Sequence, residues 1–169
     1  MPDEIVNRVA NSQLVTIDLE DWYPKGERIT FDIAQWLYES LILKEKEFRK
    51  FVDDYNWSRH EGHYVALTCS ADAIVPSWAY LLVSTRLSPY ARKVVVGTPD
   101  LLETLIYQDI IAALDVKVYG DKPVIIKGCA DKPIPATAYI ALIEKLQPVV
   151  KSLMYGEACF SVPLYKSKK

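Results

Sequence analysis

The stretch VALTCSADAIVPSWAYLLVSTRLSPYARKVVVG, residues 65–97, returns later in the chain as IIKGCADKPIPATAYIALIEKLQPVVKSLMYG, residues 125–156. Unrelated segments of this length share roughly two identities. Here eight positions coincide, and Cys69 also matches Cys129 if one residue is inserted after Cys69. The identical pairs are Ala71/Ala130, Asp72/Asp131, Pro76/Pro135, Ala79/Ala138, Tyr80/Tyr139, Leu87/Leu146, Pro89/Pro148 and Gly97/Gly156. The chain is therefore predicted to contain an internal repeat.

Each copy of the repeat has the pattern of a strand, a helix and a second strand. A short apolar run bounded by turn residues is typical of a buried strand. Pro76 and Pro135 stand where the helices should begin, a place where proline is tolerated. Each copy ends in a further apolar run, so each predicts a βαβ unit with parallel strands. The predicted fold is a three-layer α/β domain with a mixed, mostly parallel sheet and an internal βαβ duplication.

The length of 169 residues predicts a single domain with a full core. Its predicted parts are an N-terminal strand and helices in residues 1–63, the first repeat in 64–97, a connecting helix and strand in 98–122, the second repeat in 123–156, and a tail in 157–169. Helices are predicted over residues 5–10, 31–38, 43–55 and 101–114, and strands over 14–19 and 116–119. A tight turn after residue 119 predicts an antiparallel hairpin.

Charge and hydropathy exclude several classes of protein. The net charge of −2 gives no electrostatic basis for binding nucleic acid. The start MPDEIVNRVA is polar and acidic, which argues against a signal peptide, and no apolar run reaches the length of a membrane span. We therefore expect a cytoplasmic protein with reduced cysteines. Trp22, Tyr23 and Trp57, if exposed, would suit a symmetric homodimer.

The three cysteines form the main candidate site. Each follows a predicted strand end, and the carboxyl edge of an open α/β sheet is where ligands bind. With carboxylates nearby they would hold zinc or an iron–sulfur cluster, although no CxxC pair is present. The predicted metal ligands are Cys69, Cys129, Cys159, Asp72 and Asp131. Two alternatives stay open: a reactive-thiol or persulfide enzyme using Cys129 or Cys69, and a binding module whose cysteines only pack.

Two further groups of polar residues attract attention. Asp18, Glu20 and Asp21 follow a predicted strand and suit a hard-metal or acid–base site, but a solvated loop is the simpler interpretation. His60 and His63, the two histidines of the chain, lie in the charged loop NWSRHEGH. Their spacing is compatible with metal ligation, yet surface histidines without a function are favoured. Glycine-rich phosphate loops, GxSxG and HExxH are all missing, so whether the protein is an enzyme stays open.

The proline loops CSADAIVP and CADKPIP contain three X-Pro bonds, Val75-Pro76, Lys132-Pro133 and Ile134-Pro135. A cis bond beside a site marks a specific loop shape. We predict that at least one of these bonds is cis.

Distinctive stretches are spread over essentially the whole chain: EIVNRVANS, TIDLEDWYPKGER, LILKEKEFRKFV, TCSADAIVPSWAY, IKGCADKPIP and GEACFSVPLYK. They resemble an uncharacterised bacterial family that is known only as a domain of unknown function and is found mainly in Bacteroidetes. The resemblance implies a small cytoplasmic protein whose genes lie near iron–sulfur assembly genes of the Suf type. It thus implies iron–sulfur assembly proteins as partners, but it transfers no catalytic residue.

Overall fold

The computed structural model describes residues 13–128, 131–157 and 159–168. The helix predicted over residues 5–10 and the candidate ligand Cys129 lie outside these residues. The described chain divides into two compact units: residues 24–106, called the continuous unit, and residues 13–23 with 107–168, called the split unit. Each unit has its own sheet and its own apolar core.

The continuous unit is built on three parallel strands in the order β2, β3, β4. They are β2 (Arg28–Asp32), β3 (Tyr64–Thr68) and β4 (Lys93–Val96), with the helices α1 (Glu45–Asp54) and α2 (Ser77–Leu87) between them in the chain. The first four residues of β3 are buried, as expected for a strand flanked by parallel neighbours. The core of the continuous unit contains Phe31, Ile33, Phe48, Val52, Trp57, Val65, Leu67, Ala79, Val83 and Leu87.

The split unit has a four-stranded sheet in the order β1, β5, β6, β7. The strands β1 (Val15–Ile17), β5 (Pro123–Ile126) and β6 (Ser152–Glu157) are parallel, whereas β7 (Phe160–Lys166) is antiparallel to β6. Helix α4 (Ala136–Leu146) connects β5 to β6, and α3 (Pro99–Ala113) crosses the boundary between the units along the chain. The core of the split unit contains Ile17, Leu19, Tyr107, Ile111, Val124, Ile126, Ala138, Leu142, Leu146, Val150 and Leu153.

The predicted α/β class and the mostly parallel strand arrangement are confirmed. The strands, however, form two sheets rather than one. The predicted antiparallel hairpin was wrong, because β5 pairs in parallel with both β1 and β6. Residues Val116–Tyr119 form a 3-10 helix rather than a strand, and the Asp115 carboxylate caps it by accepting from the Lys117 N–H at 3.0 Å.

The helix predicted over residues 31–38 was also wrong. Phe31 and Asp32 end strand β2, and a short 3-10 helix follows at Ile33–Trp36. The Asp32 side chain accepts a hydrogen bond from the Ala34 N–H at 2.9 Å, so it caps the new turn and ends the strand. The described peptide bonds include no cis bond, so the prediction of a cis proline was wrong as well.

The strand pairings of the two units correspond at a constant interval in the sequence. In the pairing of β3 with β4, Tyr64 faces Lys93, and in the pairing of β5 with β6, Pro123 faces Ser152, in each case 59 positions later in the chain. The buried core corresponds as well, with an interval of 59 positions for all pairs except the first two, which lie at and after β1 and β2 and are 14 positions apart. Matched buried pairs are Ile17/Phe31, Leu19/Ile33, Tyr107/Phe48, Ile111/Val52, Val124/Val65, Ile126/Leu67, Ala138/Ala79, Leu142/Val83 and Leu146/Leu87. Both βαβ units therefore have the parallel strands that the predicted duplication requires, while the duplication itself stays a prediction.

Candidate functional site

The described cysteines do not form a metal centre. Cys69 follows β3, is half-buried, and its thiol lies 3.8 Å from the Ala71 carbonyl oxygen, whereas Cys159 is exposed. Cys69 belongs to the continuous unit and Cys159 to the split unit. Among residues 13–128, 131–157 and 159–168, no three His, Cys, Asp or Glu side chains come together as a metal ion needs. The predicted carboxylate ligands, Asp72 and Asp131, are both exposed.

The constant sequence interval between corresponding elements also assigns Cys69 and Cys129 to different positions. The strands before the loops and the helices after them correspond with a constant interval of 59 residues. Along this interval Cys69 corresponds to Gly128, and Ser70 corresponds to Cys129. The cysteines therefore do not occupy one repeated position.

In the continuous unit, the carboxylate of Asp32 at the end of β2 is hydrogen-bonded to Ser70, which follows β3. One Asp32 oxygen accepts hydrogen bonds from the N–H groups of Ala34 at 2.9 Å and Ser70 at 3.0 Å, and the other accepts from the Ser70 hydroxyl. Burial acts to raise the pKa of Asp32, but these hydrogen bonds outweigh it and hold that pKa below its usual range. Asp32 is therefore an ionised structural group at neutral pH.

Asp18 occupies the matching position in the split unit. Its carboxylate accepts from the Glu20 N–H at 2.9 Å and from the Lys127 ammonium at 2.8 Å. Burial acts to raise the pKa of Asp18, but the hydrogen bonds from Lys127 and from the Glu20 N–H, with the Lys127 charge, outweigh it and lower that pKa. Glu20 in turn accepts from the Lys132 N–H. Asp18 and Glu20 are thus paired and partly buried, so the solvated-loop interpretation holds for exposed Asp21 alone.

A second, shorter sequence repeat carries these aspartates. TIDLEDW at residues 16–22 and TFDIAQW at residues 30–36 share Thr, Asp and Trp at equal spacing. In both copies the Asp caps a 3-10 helix directly after a strand. Comparing only the longer stretches missed this signal, although it is visible in the sequence.

A cavity of about 340 Å³ in the continuous unit is lined by several ionisable side chains. Strand β2, the end of α1 and the 3-10 helix Trp57–His60 supply most of its wall. We call it the histidine pocket, and its lining residues are Glu27, Ile29, Thr30, Phe31, Asp32, Gln35, Tyr55, Arg59, His60 and His63.

His60 is a core residue rather than a surface residue. Only 4% of it is exposed, its ring stacks on Tyr55 with 5.7 Å between centroids, and the Tyr55 hydroxyl lies 2.9 Å from Nε2. Burial, together with the charges of His63 and Arg59, lowers the pKa of His60. The expectation of a surface histidine was therefore wrong for His60, which is neutral at physiological pH.

The Nδ1 atoms of His60 and His63 are both buried without a hydrogen-bond partner. The two rings are neighbours, with centroids 5.8 Å apart. His63 keeps one contact, since its Nε2 lies 3.8 Å from a carboxylate oxygen of Glu27. Both rings line the histidine pocket, and the Nδ1 atom of each lies beneath the accessible surface.

The split unit builds the same backbone turn without histidine. The His63 N–H donates to the His60 carbonyl at 3.1 Å, and the Lys122 N–H donates to the Tyr119 carbonyl at 3.2 Å. A second pair of hydrogen bonds also corresponds. The Gly62 N–H donates to the Tyr90 carbonyl at 3.0 Å, and the Asp121 N–H donates to the Val149 carbonyl at 2.9 Å. Along the 59-residue interval, His60 and His63 thus correspond to Tyr119 and Lys122, and Tyr55 and Arg59 to Leu114 and Val118. The turn does not require the pocket's polar residues.

The aromatic residues considered for a dimer interface are not exposed. Trp57 is buried, and its indole N–H donates to the Val52 carbonyl at 2.8 Å. Trp22 and Tyr23 are half-buried against the core of the split unit. The premise on which these residues suggested a homodimer was therefore wrong.

Comparison with known proteins gives a family without an assigned activity. No helix in the described part of the chain is long and apolar enough to cross a membrane. No curated protein and no solved structure matches the chain. Residues 3–167 match the family described as "Protein of unknown function (DUF2480)", and the chain, covered by this match over nearly its whole length, belongs to that family.

Proposed function

We propose that the continuous unit binds a small polar molecule in the histidine pocket and holds it through His60 and His63. The observation that carries the proposal is a cavity of about 340 Å³ lined by Arg59, His60 and His63, at positions where the split unit makes the same turn without them. A cavity of this size is within the range that holds small molecules. The proposal concerns binding, the non-catalytic alternative of the sequence analysis.

The turn itself does not require these histidines. The split unit makes the same turn with Tyr119 and Lys122. A buried donor or acceptor without a hydrogen bond costs about 1–3 kcal/mol, and native proteins leave few such groups. His60 and His63 each bury an Nδ1 atom in this way, so they lower stability at a place where the fold does not need them. This cost favours a role for the two residues in binding.

The other polar groups of the pocket support binding rather than a reaction. The carboxylate of Asp32 is occupied by Ser70 and Ala34. The hydroxyl of Tyr55 is occupied by His60. His60, His63 and Arg59 line the pocket beside these occupied groups, and we expect them to contact the bound molecule.

Thermal unfolding with a panel of small anionic, neutral and cationic molecules tests the proposal. The control is a graft of the corresponding split-unit residues, His60→Tyr with His63→Lys. We expect at least one class to raise the melting temperature of the wild type, since a ligand at a hundredfold excess over Kd stabilises by about 2.7 kcal/mol. The graft should unfold cooperatively but not respond. No response to any class, or an equal response of the graft, would overturn the proposal.

The cysteine-based hypothesis makes a different prediction. A zinc or iron–sulfur site using Cys129, and with it the partnership with iron–sulfur assembly proteins in the cytoplasm, requires metal in anaerobically purified protein. That metal should be lost in Cys129→Ser and retained in His60→Tyr with His63→Lys. Without metal, selective alkylation of Cys69 or Cys129 near neutral pH would favour the reactive-thiol alternative.

A further inference from the structure

We propose that the histidine pocket binds a short peptide, which extends the sheet of the continuous unit by pairing with the free edge of β2. This inference rests on the proposed function, since it names the class of molecule bound in the same pocket. The strand order is β2, β3, β4, so β2 lies at one edge and pairs only with β3 among the described strands. An exposed strand edge is a template on which an extended peptide can add a further strand.

The pairing of β2 with β3 decides which backbone groups of β2 face the free edge. The Tyr64 N–H donates to the Glu27 carbonyl at 2.8 Å, so the Glu27 carbonyl faces β3. In a parallel pair the backbone groups of alternate residues face the partner strand. Ile29 and Phe31 therefore direct their backbone groups towards β3, whereas the N–H and the carbonyl of Thr30 face away from it.

Thr30 presents these two backbone groups along the pocket. It lines the cavity together with Ile29 and Phe31, so the cavity follows the edge of the strand. Within the described part of the chain, no group is hydrogen-bonded to the outward N–H or carbonyl of Thr30. The next outward carbonyl, that of Asp32, already accepts from the Gln35 side-chain amide at 2.6 Å. A ligand beside Thr30 therefore meets one backbone donor and one backbone acceptor, which a peptide group matches.

The charges of the pocket wall suit the two ends of a free peptide. Arg59 makes no hydrogen bond or ion pair with a described residue, and its guanidinium lies 6.0 Å from the centre of the Tyr55 ring. It is therefore available to a terminal carboxylate. The Glu27 side chain is 80% exposed, so its carboxylate is available to a terminal ammonium. Both signs of charge in one wall favour a zwitterion over a ligand that carries a single sign.

The volume of the cavity restricts the peptide to a few residues. At about 340 Å³ the cavity is at the lower end of the range for sites that bind small molecules. A tripeptide is the shortest chain whose central residue has a peptide bond on each side, as pairing with Thr30 requires. Ile29, Phe31 and the Tyr55 ring provide apolar contact for its side chains.

Selection from a synthetic library tests the inference on the full chain. The library contains free tripeptides with every position randomised, and mass spectrometry identifies those that the wild type retains. The most strongly retained peptide is then titrated by calorimetry beside two analogues, each methylated at one of its peptide nitrogens. Because successive backbone groups point to opposite sides of a strand, one methylation should weaken binding about tenfold or more and the other far less. No retained tripeptide, or equal affinity of both analogues and the parent, would overturn the inference.

Protein variants test the same hydrogen bonds from the other partner. Thr30→Pro removes the outward N–H, and proline is tolerated in an edge strand at such a position. It should weaken binding of the selected peptide about tenfold or more, whereas Thr30→Val, which keeps the N–H, should bind like the wild type. The second control is Thr16→Pro in β1, the edge strand of the split unit. The Lys127 N–H donates to the Ile17 carbonyl at 2.8 Å, so Thr16 also faces a free edge, and this variant should bind normally.

The remaining outcomes are also decisive. If Thr30→Pro does not unfold cooperatively, the methylated analogues decide on the wild type alone. Dimerisation of the wild type in analytical ultracentrifugation that Thr30→Pro abolishes would assign the edge to a second copy and overturn the inference. The proposed function is decided separately, because a molecule other than a peptide can still raise the melting temperature of the wild type and leave that of the graft unchanged.

Discussion

The Tyr55 hydroxyl lies 2.9 Å from Nε2 of His60, and the two rings are stacked within 9° of parallel. This contact fixes the imidazole while its other nitrogen stays without a partner. The Tyr55 contact therefore holds the His60 ring in the wall of the histidine pocket.

The buried position of His60 predicts how stability depends on pH. Because burial and the nearby charges lower its pKa, the unfolded chain binds more protons than the folded chain at pH values just below about 6.5. Stability should therefore be complete above about pH 7 and fall as the pH decreases through about 6.5, by at most about 1.4 kcal/mol per pH unit. Urea unfolding from about pH 8 to 5 measures this slope, and His60→Gln should flatten it. An unchanged slope in the variant would contradict the assignment to His60.

Asp32 predicts a second, separate acid transition. Its pKa is held below the ordinary value of 3.8, so its stabilising contribution is present above about pH 4 and is lost as the pH falls through the folded-state pKa. Asp32→Asn keeps an acceptor for the Ala34 N–H but has no charge to lose. The variant should lose less stability than the wild type between about pH 5 and 3. Exposed Asp72→Asn is the control, and a wild-type-like acid profile for Asp32→Asn would refute the prediction.

The ion pair of Arg28 with Glu103 should matter more than a surface pair of the same length. Both this pair and the pair of Arg86 with Asp53 have an N–O distance of 2.6 Å. The Glu103 side chain is 9% exposed, whereas that of Asp53 is 62% exposed. Removing one partner of a buried pair costs about 3–5 kcal/mol, and an exposed pair is worth about 0–1 kcal/mol. Denaturant unfolding of Glu103→Gln and Asp53→Asn should show this difference, and equal losses would contradict it.

Gly156 is predicted to be intolerant of a side chain. It has a φ of +127°, and a Cβ added there would lie 2.5 Å from the Phe160 carbonyl oxygen. Gly156→Ala should therefore destabilise the split unit by about 1–3 kcal/mol. The control is Gly120→Ala, where φ is negative and the nearest atom is 3.2 Å away. Equal melting temperatures for the two variants would show that the strain is absent.

The sequence predicted the parts of the fold in which local pattern and tertiary packing agree. The apolar runs of β3 and β5 and the prolines before α2 and α4 each indicate their element directly. The stretch FDIAQWLY was assigned to a helix because its apolar residues recur at helical spacing. In the structure, Phe31 instead pairs with Leu67 of the parallel strand β3, and Asp32 caps a short 3-10 helix. Neither contact can be predicted from that stretch alone.

The candidate site was harder to predict for the same reason. His60 and His63 lie in a charged loop, so the local sequence favours exposure. His60 is buried because Phe31 from β2 and Tyr55 after α1 pack against it. The comparison of TIDLEDW with TFDIAQW would have placed Asp32 correctly, but it would not have revealed the pocket. The prediction for the cysteines depended on Cys69 and Cys129 occupying the same position of the repeat. The constant 59-residue interval between corresponding strands does not support that match.

The most direct test of the central claim is the ¹⁵N nuclear magnetic resonance of the two imidazole rings. Spectra are recorded without ligand and at saturation with the molecule from the panel that raises the melting temperature most. The account predicts that the signals of His60 and His63 change when this molecule binds, because both residues line the pocket. Identical spectra of both rings with and without the molecule would contradict it.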